Sequence, residues 1–334
     1  MVNGYSYVAA PTLTSVTPNS GPAAGGAPVT ISGSGFQAGA VARFGDALCT
    51  NAVVTVPNTI TCNTPFASPV AVNVTVTNPD GQSDILVDGY QYFRQPTMTT
   101  INASADPVRV GEPVSFAIEV SGDGPPSDGR VTVTASSGEN CIDNTPQVGG
   151  TSASFSCQIS FGSLGPRTIS AFSSDSVTHL DSSFTALNLI VARLADLSVT
   201  ISDGQNTVQP GEALSYLVEV RNAGPDAAPG SVLVLASTPE LGNTDWTCST
   251  VGGAQCPAVG GAGELGEQIS LPAGSGLDFI QNGLADAQLV DPLIVTVTVS
   301  GSAATPNFVI DSDSSNNQAS DVNNIERIFT SGFE

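Results

Sequence analysis

The sequence contains very few basic residues. Its 334 residues include eight arginines, no lysine, one histidine and 30 acidic residues, for a formal net charge of −22. A nucleic-acid-binding protein needs basic side chains to neutralise phosphates, and an anionic membrane surface repels so acidic a chain. We therefore expect no nucleic-acid partner and no attachment to an anionic membrane.

The missing residue types also restrict catalysis. Without lysine the chain can form no Schiff base and has no P-loop lysine or Ser/Lys pair, and His179 is the one candidate imidazole base. His179 lies in an alternating polar segment, so a solvent-facing strand or loop position is the simpler interpretation. No motif singles out two carboxylates as a glycosidase pair. We expect that the chain is not an enzyme.

Long apolar segments are lacking as well. No stretch approaches the roughly 18 to 20 uninterrupted apolar residues that would span a bilayer, so we expect no membrane insertion. Residues 1–5 have neither the basic nor the apolar region of a signal peptide. We expect an extracellular or cell-surface protein whose signal peptide lies upstream of this sequence.

Short alternating segments separated by turn residues are abundant. The chain has 35 glycines and 23 prolines, and Val70, Val72, Val74 and Val76 alternate with polar or small residues before a turn at 78–81. No helical period persists for three turns, although the segment 277–280 is compatible with one short helical turn. The pattern predicts an all-β protein.

Two internal repeats divide the sequence. Residues 2–12 match residues 87–97 at six of eleven positions, and the pattern of residues 108–125 recurs without gaps at residues 208–225. Because the first copy lies at the very start, we expect residues 1–9 to be the last strand of a preceding, truncated repeat.

The six cysteines fall in three close pairs. Their spacing does not fit zinc, and one histidine cannot complete several metal sites. Disulfides within each domain are favoured over the alternative of reduced, buried thiols. They require an oxidising compartment and would stabilise each domain by about 2.5–3 kcal/mol. The predicted pairs are Cys49 with Cys62, Cys141 with Cys157, and Cys248 with Cys256.

The segment 11–93 carries a dense pattern of turn glycines and prolines around short apolar strands. The motifs are Pro11-Thr12, Val16, Pro18, Ser20-Gly21-Pro22, Gly25-Gly26, Val29-Thr30-Ile31, Gly33, Gly35-Phe36, Val41, Phe44-Gly45, Cys49, Thr59-Ile60-Thr61-Cys62, Pro65 and Asn78-Pro79-Asp80-Gly81. With these residues the segment closely resembles the IPT/TIG immunoglobulin-like family.

Two further resemblances cover most of the remaining chain. Through Gly165-Pro166, Ile169, Ala171, Asp175 and Ser182-Ser183, residues 97–191 resemble a bacterial Ig-like repeat. Residues 195–323 resemble the "conserved repeat" modules of bacterial surface proteins, a domain of unknown function. The matching residues are 195–199, Val208, Pro210-Gly211, Tyr216, Asn222-Ala223-Gly224-Pro225, Trp246-Thr247-Cys248, Cys256, 271–274 and Asn316-Asn317. The stretch 276–291, with Asp278, Asp286 and Asp291, departs from that pattern.

These observations predict three Ig-like β-sandwich domains in series, arranged as an elongated string. We place them at residues 10–94, 95–192 and 193–324, followed by a tail at 325–334 that resembles an Ile-Phe-x-x-Gly-Phe-Glu ending of secreted gammaproteobacterial proteins. A domain of this size spans roughly 40 Å, so three would extend to about 120 Å.

Two groups of residues are candidate binding sites. Asp311, Asp313 and Asp321 offer hard oxygen ligands for calcium, although the order of an EF-hand is not met and an acidic, water-facing turn is the alternative. Asp106 and Asp196 are weaker candidates. Trp246 lies two residues before Cys248, so packing on a disulfide is favoured over a platform for stacking a sugar.

The function expected from the sequence is a non-enzymatic stalk or adhesive module of a secreted or surface-exposed bacterial protein, without a cofactor. Its partner would be a protein or glycan on another surface. One alternative is an accessory, carbohydrate-binding region of a secreted enzyme. Another is a filament subunit that self-associates through the N-terminal strand or the C-terminal tail.

Overall fold

Residues 9–124, 126–238, 241–304 and 307–326 are described by the computed structural model. They form an all-β structure with three β-sandwiches that follow one another along the chain, as predicted. No helix in these ranges is long and apolar enough to cross a membrane. Residues 1–8 and 327–334 lie outside the described residues, so the strand of a preceding repeat and self-association through either end stay predictions.

The first sandwich packs two sheets with the strand orders β1-β3-β7-β6 and β2-β9-β8-β4-β5. Its core includes Phe44, Tyr90 and Tyr92, whose neighbouring ring centroids lie 5.1 and 4.9 Å apart, edge to face. The strands are β1 (Thr12–Thr17), β2 (Ser20–Pro22), β3 (Pro28–Ser34), β4 (Val41–Phe44), β5 (Ala47–Leu48), β6 (Thr50–Thr55), β7 (Thr59–Asn63), β8 (Ala71–Thr77) and β9 (Ser83–Phe93).

The second sandwich has one sheet ordered β10-β12-β16-β15 and another ordered β11-β18-β17-β13-β14. Buried residues alternate along β12 and β13, which is the period expected of strands with one wetted face. The strands are β10 (Thr97–Ala103), β11 (Val108–Arg109), β12 (Pro113–Gly122), β13 (Arg130–Ala135), β14 (Asn140–Asp143), β15 (Gln147–Gly149), β16 (Ser152–Ser160), β17 (Gly165–Ser174) and β18 (Ser182–Ala195).

The third sandwich is built from two sheets ordered β19-β21-β26-β23-β24 and β20-β29-β27-β22-β25. A 3-10 turn at Ser314–Asn316 precedes its last strand. The strands are β19 (Leu197–Ser202), β20 (Thr207–Val208), β21 (Ala213–Asn222), β22 (Ala228–Thr238), β23 (Gly242–Val251), β24 (Gly260–Ala262), β25 (Gly266–Leu271), β26 (Ser275–Leu284), β27 (Leu293–Ser300), β28 (Val309–Asp311) and β29 (Gln318–Ile325).

The repeat at an offset of 100 residues corresponds to equivalent strands. β10, β11 and β12 of the second sandwich recur as β19, β20 and β21 of the third. In both sandwiches the short second strand pairs in parallel with the closing strand, β11 with β18 and β20 with β29. The sequence repeat is therefore a repeat of topology.

The expectation of a helical turn at 277–280 is wrong. These residues lie in β26, a long strand that pairs antiparallel with both β21 and β23. Leu277 and Phe279 point into the core, as two successive inward positions of a strand.

Each of the three sandwiches contains one disulfide, and each joins one of the close cysteine pairs. Cys49–Cys62 links β7 to the residue before β6, Cys141–Cys157 links β14 to β16, and Cys248–Cys256 links β23 to the loop before β24. The second of these joins strands of two different sheets.

Contacts divide the chain into two compact units, and the second sandwich is shared between them. One unit comprises the residues up to Ser104, Val114–Ile159 and Thr168–Leu187. The other comprises Ala105–Pro113, Ser160–Arg167 and the residues from Asn188 onward. The domain limits drawn from the sequence stay a prediction.

Candidate functional site

The first junction, residues 94–96 with residues 176–180, connects the first two sandwiches within one unit. β9 ends at Phe93 and β10 begins at Thr97, so the linker has only three residues. Gln95 is buried and forms an isolated parallel bridge with His179. Its amide donates to the carbonyl of Thr178 at 2.9 Å, and its carbonyl accepts from the amide of Leu180 at 2.8 Å. The short linker is therefore held on both sides of its middle residue.

His179 is buried in this junction, with 2% of its surface exposed. The expectation of a solvent-facing histidine is wrong, because its alternating polar neighbours are themselves buried here. The carbonyl of Gly124 can only accept, so Nε2 donates to it at 3.0 Å, and Nδ1 accepts from the Thr178 hydroxyl at 2.7 Å. Both ring nitrogens are thus engaged in holding the junction.

A second junction, residues 193–197 with 308–312 and 222–226, connects the second and third sandwiches. β18 ends at Ala195 and β19 begins at Leu197, so Asp196 is the single residue between them. The last three residues of β18 pair in parallel with β28. Arg193 donates its amide to the carbonyl of Phe308 at 3.1 Å, and Ser312 donates to that of Ala195 at 2.8 Å. The third sandwich therefore supplies a strand to the sheet of the second.

An ion pair braces the same junction. Arg109 places Nε 2.9 Å from both carboxylate oxygens of Asp226 and a terminal nitrogen 2.6 Å from one of them. Asp226 also accepts from the amide of Leu194 at 2.9 Å. The hydrogen bond from Arg109 is the main reason that the pKa of Asp226 lies below its ordinary value. Forked pairing of this kind fixes orientation as well as charge.

Asn222 ties the turn at 222–226 to the one-residue linker. Its Oδ1 accepts from the amides of Asp196 at 3.3 Å and Gly224 at 3.1 Å. Its Nδ2 donates to the carbonyls of Asp226 at 2.9 Å and Leu271 at 3.0 Å. At Gly224 a Cβ would lie 2.4 Å from the amide nitrogen of Asp196, so the approach requires glycine. Sequence reasoning noted Asn222-Ala223-Gly224-Pro225 as a motif but missed this role.

The structure does not bring the three predicted calcium ligands together. Asp311 accepts from the amides of Leu197 and Asp313, both at 3.0 Å. Asp313 accepts from the amide of Ser315, while Asp321 lies on β29 beside Asn323. Over the part of the chain that is described, no three acidic, His or Cys side chains are placed to hold a metal ion.

The two weaker candidate calcium ligands, Asp106 and Asp196, also accept hydrogen bonds from other groups of the chain. Asp106 accepts from the amide of Ile190 at 3.0 Å, and Asp196 accepts from the side chain of Asn316 at 3.2 Å. Asp196 thereby belongs to the second junction.

Trp246 is a core residue, with 3% of its surface exposed. It packs edge-on against Phe279, with 5.7 Å between the ring centroids. Gly261 approaches so closely that a Cβ there would lie 2.7 Å from the indole. The indole therefore offers no open face on which a sugar could stack.

Comparison with known families matches residues 11–93 to the IPT/TIG domain. No curated protein matches the chain. The match covers the segment that resembles this family in sequence.

Among solved structures, a tetra-tandem repeat from the extending region of a large adhesion protein is 15% identical over 90% of this chain and 70% of that one, with a TM-score of 0.31. The ICAM-5 D1–D4 ectodomain fragment is 11% identical over 93% and 76%, with a TM-score of 0.40. The CARDB domain of a Pyrococcus furiosus protein, solved with di-metal ions, is 16% identical over 40% and 91%, with a TM-score of 0.29. At these TM-scores, none of them bears on function.

Proposed function

Since residues 11–93 form an IPT/TIG domain that is followed by two more β-sandwiches, we propose that this chain is a non-enzymatic spacer in the stalk of a secreted or surface-exposed bacterial protein. The observation that carries the proposal is the construction of the two junctions. Their linkers have three residues and one residue, and both are hydrogen-bonded to strands or turns of the neighbouring sandwich. Such linkers limit how far neighbouring sandwiches can swing.

The disulfides and the basic residues of the chain support the same role. Three disulfides require an oxidising compartment, which agrees with an extracellular position. The absence of lysine and the engagement of both His179 nitrogens support a role other than catalysis. An adhesive partner, whether protein or glycan, would then be bound through a surface of the stalk or by another part of the protein.

Hydrogen exchange at the junctions tests the spacer proposal. The amides of Gln95, Leu180, Arg193 and Ser312 are the donors that hold the linkers. We expect them to exchange as slowly as amides in the interior strands, because exchange then requires opening of the sandwich. Mass spectrometry or NMR on the whole chain provides the measurement. Exchange at the rate of exposed loop amides would contradict the proposal.

A matched pair of variants tests the ion pair in the second junction. Arg109→Gln removes the partner of Asp226, so the amides of Leu194 and Asp226 should exchange several-fold faster. Arg130→Gln is the control, since it removes an arginine whose pair with Asp175 lies exposed in the second sandwich. Equal exchange at the junction in both variants would show that the pair with Asp226 does not brace it.

A further inference from the structure

The inner face of β29 carries polar side chains where a sandwich core is usually apolar. Ala319, Asp321, Asn323 and Ile325 alternate inward, and Asn323 has none of its surface exposed. The apolar members of this row pack against the core of the third sandwich. Two polar groups are therefore set into the space between the two sheets.

Three oxygens converge on the amide nitrogen of Asn323. Nδ2 lies 2.9 Å from a carboxylate oxygen of Asp203, 3.1 Å from the hydroxyl of Tyr216 and 3.5 Å from a carboxylate oxygen of Asp321. An amide nitrogen has two hydrogens, so it cannot serve all three oxygens fully. The two aspartates come from opposite sheets, because Asp203 follows β19 and Asp321 lies in β29.

The surroundings add negative rather than compensating charge. The charges that act on the hydroxyl of Tyr216 are those of Asp203, Asp321 and Glu212, and burial is the main reason that its pKa is raised. Tyr216 therefore stays neutral and adds no charge of its own. Burial is also the first reason that the pKa of Asp321 is raised, followed by the charge of Asp203 and a hydrogen bond with it. A hydrogen bond from the backbone of Asp203 and, after it, the amide of Asn323 lower this pKa.

We infer that Asp321 carries a proton taken from solvent, and that this proton stabilises its contact with Asp203 between the two sheets of the third sandwich. The protonated carboxyl of Asp321 donates an O–H···O bond to a carboxylate oxygen of Asp203. Both carboxyl groups lie against Nδ2 of Asn323, and two ionised carboxylates held against one amide repel each other. The pair is thus an acid-stabilised contact built into the fold.

The sign of the pH dependence follows from linkage. The pKa of Asp321 is higher in the folded chain than its ordinary value. The stabilisation that its proton gives to the folded state is therefore complete when the pH lies below that ordinary value. The stabilisation is lost as the pH rises through the folded pKa. For each unit by which the pKa is raised, the folding equilibrium constant should fall about tenfold. The pKa of Asp226 is lowered, so its effect on stability depends on pH in the opposite direction. The stabilisation that Asp226 provides is complete above the ordinary aspartate range and is lost as the pH falls.

Fluorescence of Trp246 allows the third sandwich to be followed within the whole chain, because it is the single tryptophan and is buried there. We expect its thermal midpoint in the wild type, measured with EDTA present, to fall as the pH rises from about pH 4, in the ordinary aspartate range, to about pH 8. In Asp321→Asn the side-chain amide offers an N–H donor at every pH, in place of the carboxyl O–H that is present only when Asp321 is protonated. Its midpoint should exceed that of the wild type at about pH 8, and the fall should be lost.

A control variant and a second measurement complete the test. Asp291→Asn removes one negative charge from an exposed loop of the same sandwich and should keep the fall seen in the wild type. A fall retained in Asp321→Asn would overturn the inference. In the wild type, carbon NMR of the aspartate carboxyls should give a titration of Asp321 above the ordinary range, and titration within that range would equally overturn it.

Discussion

A buried amide side chain joins neighbouring segments of the third sandwich through hydrogen bonds to their backbones. Gln281 lies in the middle of β26 with none of its surface exposed. Its Oε1 accepts from the amide of Leu265 at 2.9 Å, and its Nε2 donates to the carbonyls of Asp245 at 3.1 Å and Gly263 at 3.3 Å. One side chain thus satisfies three backbone groups of the neighbouring segments.

Gln281→Leu tests this arrangement. Leucine keeps the volume but leaves the amide and two carbonyls without their partner, so the unfolding free energy should fall by about 3 kcal/mol. The fluorescence of Trp246 in a urea titration reports it. Gln268→Leu, on the exposed face of β25, should change stability by no more than about 0.5 kcal/mol. Similar losses in both variants would contradict a special role for the buried amide.

The residue-level error in reading the sequence has a physical cause. His179 is a polar residue whose hydrogen bonds are made inside the fold, one of them to the carbonyl of Gly124, 55 residues away in the sequence. A pattern of apolar and polar residues assigns it to solvent, because the pattern cannot include hydrogen bonds that exist only after folding. Gly224 was recognised as a motif residue, but its contact with Asp196 follows only from the folded turn.

At the scale of elements, strands with apolar inward positions were predictable and those with polar ones were not. β8 follows the valine alternation closely. β26 replaces an inward apolar residue by Gln281 and has glycines at both ends, so its period of two is hidden. The two neighbours that confirm it as a strand, β21 and β23, come from earlier parts of the chain and are not adjacent to it in sequence.

We expect removal of the disulfide between β23 and the loop before β24 to destabilise the third sandwich. Cys248 and Cys256 are eight residues apart, and opening so short a loop should cost about 2–3 kcal/mol. The double variant Cys248→Ser and Cys256→Ser should lower the denaturation midpoint reported by Trp246. The matched double variant at Cys141 and Cys157 should leave that signal nearly unchanged. An equal effect of both would show that the disulfides do not act within separate sandwiches.

At the scale of the whole molecule, the fold class and the number of sandwiches could be predicted because they depend on repeated local signals. Glycine and proline turns, the IPT/TIG motifs and the offset of 100 residues are all visible in the sequence. The junctions were not predictable. Gln95 meets His179 and Arg109 meets Asp226 across 84 and 117 residues, and most bonds there come from the backbone, which has no sequence signature.

Acidic charge is distributed unevenly along the chain. Residues 193–324 contain 15 acidic residues and two arginines, whereas residues 10–94 contain four and two. Self-repulsion should therefore destabilise the third sandwich most at low ionic strength. We expect its thermal midpoint, followed by Trp246, to rise from low salt to about 0.5 M as the charges are screened. Sodium and potassium chloride should act alike, and a falling midpoint would contradict this.

The pairing of β28 with the end of β18 has a consequence for how these domains can be inherited. The third sandwich completes an edge of the second with three residues of its own strand. A recombination event that separated the two would leave that edge open to pairing with other chains, which favours aggregation. We therefore expect the second and third sandwiches to be duplicated or transferred together rather than separately.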